Sequence, residues 1–422
     1  MEKTLTKAHG NWVDGKRFFN RMRELEIMHE RFKEGGHTLL TAQRRMGKTS
    51  LVRELKRQLL ASGEAAAVFV DLENAFSAAD AIKELSLATR ECENIWSKVR
   101  NIFLNALDGM AERVEEVNAG EIGVKLRAGL DAGNWEQKGD EIFMALADQE
   151  LPVLLAIDEL PILINRILKG EDYQITPERR VATDQFMSWL RKNAQTHKGK
   201  VRIILSGSIG LEPVLRQAGL SAHANVFPSF ELRPWSQETA TACLHALAEK
   251  YEIKLEEGVC ELACNCLGCC IPHHVQMFFD HLHEEIRCSG RQSINTKDIK
   301  TVYDTYMLGI RGQAELDHYE ERLKLVLGSE YYTCALDLLT EAAVNGKLSR
   351  EGIHFFADYY AAQLEEDNTL DVIREIIYVL EHDGYLHQTA QGYCYVSKLL
   401  KDWWKARHEN FYVSIKERSC KQ

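Results

Sequence analysis

Apolar positions in the first half of the chain alternate between stripes and short continuous runs. Within Phe18 to Phe32, Leu25, Met28 and Phe32 share one helical face with charges between them, which predicts a helix ended by Gly35-Gly36. Thr38 to Thr41 is short, apolar and β-branched, and predicts a strand. After the loop AQRRMGKT, Leu51, Leu55 and Leu59 form one stripe in Ser50 to Ala61, a second helix. Strands are predicted at Ala66 to Leu72, Val153 to Ile157 and Val201 to Leu205, with helical segments at Ala79 to Ala106, Gly139 to Gln149 and Asp184 to Thr196. Glu121 to Ala128 alternates in the manner of a short strand or hairpin arm. Strands that are apolar on both faces and alternate with helices predict a parallel α/β sheet. Right-handed crossovers then bring the strand C-terminal ends to one edge, where ligands bind.

The pattern changes near Arg233. Helical periodicity without an evident strand runs through Ser236 to Tyr251, Glu256 to Cys266, Ile271 to Glu285 and Asn295 to Met307, which predicts a small all-helical domain. Gly309 to Gln313 reads as a linker. From His318 onward three helices precede a hairpin built from Tyr385-Leu386 and Tyr393 to Val396, the layout of a winged helix. The expected domains are therefore 1–232, 233–310 and 311–422.

Composition narrows the class without naming it. The 422 residues are 45% hydrophobic and 27% charged, which excludes a disordered or collagen-like chain. The net charge of −11 argues against generic binding of polyanions. No apolar run approaches the ~20 residues of a membrane span. Met1 to Trp12 is polar and has no signal-peptide core, and eleven cysteines in such a chain are expected to be reduced thiols in a cytoplasmic protein.

The chemistry is concentrated at three strand ends. Gln43-Arg44-Arg45-Met46-Gly47-Lys48-Thr49-Ser50 lies between a strand and a helix and ends in Gly-Lys-Thr, the pattern of a phosphate-binding P-loop, with Ala42 where that motif opens on Gly. Such a loop presents backbone N–H groups to phosphate oxygens at a helix N-terminus. Gly47 permits close backbone approach, Lys48 supplies a cation to the β and γ phosphates, and the Thr49 hydroxyl is a hard ligand for Mg²⁺. The strand Leu154 to Ile157 delivers Asp158 toward the metal, and Glu159 is placed to polarise the attacking water. Ser206-Gly207-Ser208 follows the next apolar strand; its hydroxyls either reach the water and the γ-phosphate or cap the strand.

QRRMGKTSL, LLAIDELP, IILSGSIG and CCIPHHVQ, in this order, resemble the archaeal-type ATPases of bacteria and archaea, in the STAND-related branch of AAA+ P-loop proteins. FFNRMRELEIM is similar to that family's N-terminal signature, with Asn20-Arg21 in the matching place. The resemblance implies an α/β P-loop core flanked by helices, a helical lid and a C-terminal winged helix. It implies ATP and Mg²⁺ as ligands, with Thr49 and Asp158 at the metal and Glu159, Lys48, Ser206 and Ser208 as catalytic groups. It implies an ATPase, turning ATP and water into ADP and phosphate, that works as a nucleotide-driven switch on a protein partner or through self-association. Pro272 matches the lid's Gly-x-Pro turn, although Cys270 stands in place of its Gly. Arg216, Arg233, Arg44 and Arg45 are the candidates for an arginine finger.

Two further stretches carry competing readings. Cys260, Cys264, Cys266, Cys269 and Cys270, followed by His273 and His274, have zinc-like spacings, but Cys260, Cys264 and Leu267 also form a core stripe. Lys398 to Gln422 holds seven Lys or Arg against three Asp or Glu and includes Trp403-Trp404. That favours a packed domain with a solvated face over DNA contact, because Asp371 to Leu380, in the position of a reading helix, has Arg374 as its one base. A nucleotide-gated DNA-binding or DNA-loading protein is the alternative.

Overall fold

The computed structural model describes residues 5–8, 12–104, 133–364 and 368–419. The arm expected at Glu121 to Ala128 lies outside them. Two compact units emerge: one comprises 21–41 and 48–232, the other 1–20, 42–47 and 233–422.

The first unit is built on β1 (Thr38–Thr41), β2 (Ala66–Asp71), β3 (Val153–Asp158), β4 (Val201–Leu205) and β5 (Ser229–Glu231). They form one parallel sheet in the order β2-β3-β4-β1-β5. All six residues of β3 are buried, as a continuous apolar run in a central strand requires. β5 was not expected: Ser-Phe-Glu is short and polar, and it sits at the sheet edge where a strand needs no apolar signature.

Among the described residues, helices α1 (Met22–Lys33), α2 (Lys48–Ser62), α3 (Ala78–Ala88), α4 (Glu93–Leu104), α5 (Trp135–Ala147), α6 (Leu160–Lys169), α7 (Pro177–Thr196) and α8 (Leu211–Gln217) also belong to this unit. Leu25, Met28 and Phe32 are the buried face of α1. That helix starts at Met22 and not at Phe18, because Asn20 and Arg21 both adopt positive φ, which no helical turn accommodates. α6 has no counterpart in the sequence reading; it leaves β3 after the single residue Glu159, so no loop of several residues separates strand from helix. Where Ala79 to Ala106 reads as mostly helical, a 3-10 turn at Thr89–Glu91 divides α3 from α4.

Trp135, Phe143, Phe186 and Trp189 form an aromatic cluster with ring centroids 5.5–5.7 Å apart. Asp140 fastens it by accepting from Trp189 Nε1 at 3.0 Å and Asn193 Nδ2 at 2.7 Å.

In the second unit, α9 (Gln237–Lys250), α10 (Val259–Leu267), α11 (Pro272–Cys288) and α12 (Thr296–Val302) are accompanied by the two-residue parallel strands β6 (Lys254–Leu255) and β7 (Ser293–Ile294). The region is therefore not purely helical. The expected linker at Gly309 to Gln313 is also absent: Ile310 already opens α13 (Ile310–Asn345), a long helix kinked at Gly328. There follow α14 (Arg350–Tyr360), α15 (Thr369–His382), an antiparallel hairpin of β8 (Leu386–Thr389) and β9 (Gly392–Tyr395), α16 (Lys398–His408) and α17 (Ile415–Ser419). Leu348 adds an antiparallel bridge to Tyr393, with both backbone hydrogen bonds formed, 2.8 and 2.9 Å. The N-terminal stretch belongs here as well: Lys7 pairs with Asp280 and lies 3.0 Å from His283 Nδ1, and Ala8 N–H donates to Gln276 Oε1 at 3.1 Å.

A Cβ at Gly139 on α5 would fall 2.4 Å from Trp189 Cζ2 and 2.9 Å from Ile82 Cδ1. Gly139→Ala gains about 1 kcal/mol of helix propensity. The overpacking costs about 1–3 kcal/mol against a ring already locked by Asp140, and it prevails. The urea midpoint of the variant is expected below that of the parent.

Candidate functional site

β1 runs into the loop 42–47, and Lys48 is the first residue of α2. The first backbone N–H groups of a helix have no carbonyl partner within it, which is the physical basis of phosphate binding at such an end. Gly47 has φ +91° with open space where a Cβ would stand, so the backbone conformation and not crowding calls for glycine. Arg45 also takes positive φ, at 66°. Lys48 and Met46 are buried, and Ser50 lies in the first turn of α2.

Asp158 ends β3 with only 6% of its surface exposed. Its two oxygens are divided among three donors. Thr49 Oγ1 donates to Oδ2 at 2.8 Å, while Ser206 Oγ and the Glu159 N–H donate to Oδ1 at 2.7 and 3.1 Å. Charge-assisted bonds of this kind hold an ionised carboxylate away from water. Asp158 thereby ties together the start of α2 and the end of β4.

Glu159 is left-handed, φ +58°, a conformation that costs a non-glycine residue about 1–3 kcal/mol. One carboxylate oxygen, Oε2, accepts from both the backbone N–H and the hydroxyl of Ser208, at 2.9 and 2.8 Å. Both serines of Ser206-Gly207-Ser208 are thus bonded to carboxylates, Ser206 to Asp158 and Ser208 to Glu159. The sequence reading passed over Asp71, which ends β2 in register with Asp158. Desolvation at the crowded sheet edge raises its carboxyl above the ordinary range, and the charge of Asp158 adds to that. The available signal was the shared form of AAVFVD and LLAID, two apolar strands each ending in Asp.

Apart from Arg216, the remaining expected site residues lie in the second unit. Pro272 is the first residue of α11 and is buried, and the preceding turn is fixed by Trp235 N–H donating to the Cys270 carbonyl at 3.1 Å. His273 and His274 occupy the same first turn. His274 is 1% exposed and has no hydrogen-bond partner at either ring nitrogen. Burial above all, then His273 and Arg45, hold its ring well below the usual histidine range. His273 lies 3.7 Å from Glu315 and is also lowered, chiefly by burial. Gln43 uses its side-chain amide to donate to the Gly384 carbonyl at 2.6 Å. Of the arginine-finger candidates, Arg44 and Arg45 are beside these histidines, Arg216 lies at the end of α8, and Arg233 opens the long C-terminal part of the second unit.

The sequence matches no protein-family profile and no curated protein. Its structure superposes on a Walker-type ATPase of Pyrococcus abyssi over 96% of this chain and 100% of that one, with TM-score 0.63 and 16% identity. It superposes on the ORC2 protein of Aeropyrum pernix, solved as ADPNP–ADP complexes, over 93% of this chain and 94% of that one, with TM-score 0.53 and 13% identity. The chain therefore shares its fold with these two proteins, a five-stranded parallel sheet with helices and a mostly helical C-terminal region.

Within that fold, the two ambiguous stretches have a packing role. Val259, Cys260, Ala263, Cys264 and Leu267 are the buried stripe of α10. Burial pushes the thiols of Cys260 and Cys269 up to about 11. Among the described residues, no three His, Cys, Asp or Glu side chains are grouped as metal ligands. Trp403 and Trp404 are fully buried, and Trp404 Nε1 donates to Thr340 Oγ1 at 3.1 Å. The basic residues around them are neutralised locally: Lys398 by Asp402, Lys405 by Glu409, Arg407 by Asp317 and Glu320, and Arg418 by Asp337. On α15, Arg374 pairs with Asp371. Among the described residues no helix is long and apolar enough to cross a membrane.

Ser206→Ala removes a buried charge-assisted bond and leaves Asp158 Oδ1 with one donor. The expected loss is about 1–3 kcal/mol of stability without nucleotide, read as a lower urea midpoint at unchanged slope.

Proposed function

We propose that this protein is an ATPase that binds ATP with Mg²⁺, hydrolyses it slowly, and works as a nucleotide-dependent switch on a protein partner or on its own assembly. One observation carries the reading. A carboxylate fixed by the hydroxyl of a Gly-Lys-Thr loop stands next in sequence to a second carboxylate held by a serine just beyond the neighbouring strand. Phosphoryl transfer needs that division: groups that position and neutralise, and one that manages a proton.

In this reading Gln43 to Ser50 bind the phosphates through backbone N–H groups and the Lys48 ammonium. Thr49 and Asp158, already hydrogen-bonded to each other, are the protein groups toward Mg²⁺, which when bound supplies charge neutralisation to the β and γ phosphates. Glu159 accepts the proton of the attacking water. The two Ser208 donors on Oε2 hold that carboxylate beside the end of β4. Pro272, Ser206 and Ser208 place the surrounding backbone and carboxylates. The described elements from α13 to β9, with the Leu348 bridge, support a winged-helix domain. The pairing of Lys398, Arg407 and Arg418 with acidic side chains favours a protein partner over DNA, since cations so paired contribute less to counterion displacement.

Lys48→Ala is expected to abolish most ATP binding in a calorimetric titration; unchanged affinity would remove the loop from the site. Glu159→Gln is expected to bind ATP normally and lose turnover by about 100-fold or more, because an amide holds a water without taking its proton. Wild-type hydrolysis by that variant would place the base elsewhere.

A further inference from the structure

The loop 42–47 is gripped by elements that follow it by more than two hundred residues. Gln43 is buried, and its Nε2 donates to the Gly384 carbonyl at 2.6 Å. Gly384 stands in the turn between α15 and β8 with φ +78°, and a Cβ there would fall 2.7 Å from Cδ and Cγ of Gln43. The turn's backbone therefore lies flush against the glutamine side chain. The turn is itself anchored. Gly384 N–H donates to the Glu381 carbonyl at 3.0 Å, and the next residue, Tyr385, is buried and donates its hydroxyl to the Tyr319 carbonyl of α13 at 2.6 Å. The neighbouring arginines face the same elements. Arg44 and Arg45 act electrostatically on His273 of α11 and on His318 and Tyr319 of α13, and Arg45 on His274.

We propose that Gln43 and the Gly384 turn form a latch by which the C-terminal elements hold the phosphate loop, so that neither changes shape without the other. This rests on the reading of the loop as a nucleotide site, and it adds the route by which nucleotide state leaves that site. A phosphate that re-seats the backbone of residues 43–47 displaces the Gln43 side chain. The Gly384 turn, Tyr385 and the hairpin β8-β9 move with it. Conversely, a partner bound to the hairpin sets how readily the loop accepts or releases nucleotide. Two sites joined by one bistable contact must influence each other reciprocally.

The test is amide hydrogen exchange on the full chain without nucleotide, followed through peptides covering 42–47. Gly384→Ala drives a methyl into Gln43, and Gln43→Ala removes the donor from the other side. Gly346→Ala is the control: it has the same left-handed φ, +81°, but open space around its Cβ. Exchange in the loop is expected to rise about tenfold or more in both latch variants and to stay at the parental rate in the control. Release of ADP, followed with a fluorescent analogue, is expected to change at least about threefold in Gly384→Ala. Parental exchange in both latch variants overturns the latch, and so does an equal rise in the control. Faster exchange with unaltered ADP release overturns its regulatory role. A parent protein that binds no ADP refutes the ATPase reading and leaves the exchange result to decide the latch.

Discussion

The arrangement depends on one buried carboxylate. Asp158 sits where a charge without donors would be expelled or neutralised, and its three donors come from α2, from β4 and from the next backbone N–H. Meeting that electrostatic demand fixes the register in which Thr49 and Ser206 meet β3. The β2-β3-β4 pairing then carries Asp71 and Ser208 to the same edge. Hydrophobic burial of β3 alone would permit a slip of the neighbouring strands; the polar end of the strand does not. The residue most exposed to this constraint is Glu159, left-handed and bonded through one oxygen to the neighbouring strand end.

The parallel sheet was legible because β3 and β4 are continuous apolar runs of strand length and α2 presents one apolar stripe. What escaped did so for identifiable reasons. β5 is a polar edge strand, and α6 begins within one residue of β3, so no turn chemistry announces it. Gly309 and Gly312 read as linker chemistry, yet Ile310 opens a helix because the packing of α13 against α16 and α15 outweighs the local cost of glycine. Site residues were legible where the chemistry imposes a local spacing, as in Gly47-Lys48-Thr49 and Asp158-Glu159. Where the partner is remote, as for Gln43 and Gly384, 341 positions apart, nothing in either neighbourhood encodes the contact.

The cysteines and tryptophans show how composition misleads when read without burial. Cys266-x-x-Cys269 has the spacing of a metal site, but the stripe Cys260, Cys264 and Leu267 is what α10 buries. Trp403-Trp404 amid lysines has the look of a nucleic-acid surface, but both indoles are interior and the cations have acidic neighbours on their own or adjacent helices. In each case the side chains' burial accounts for the residues by packing, the reading the sequence already favoured.

The second unit is assembled from stretches near both ends of the chain and from six residues of the phosphate loop. That has a consequence for biosynthesis. At about 5–20 residues per second, a ribosome that has just completed Gln43 needs roughly 20–70 seconds to reach Gly384. Through most of that interval, once Ser62 has been added, the residues of β1 and α2 are present while the turn at Gly384 is not. A nascent chain released early, or a fragment ending before α15, would carry an intact Gly-Lys-Thr sequence on an unbraced loop, with Tyr319 and the surrounding apolar faces of α13 uncovered. Such a fragment would present apolar surface to water that the later elements otherwise cover.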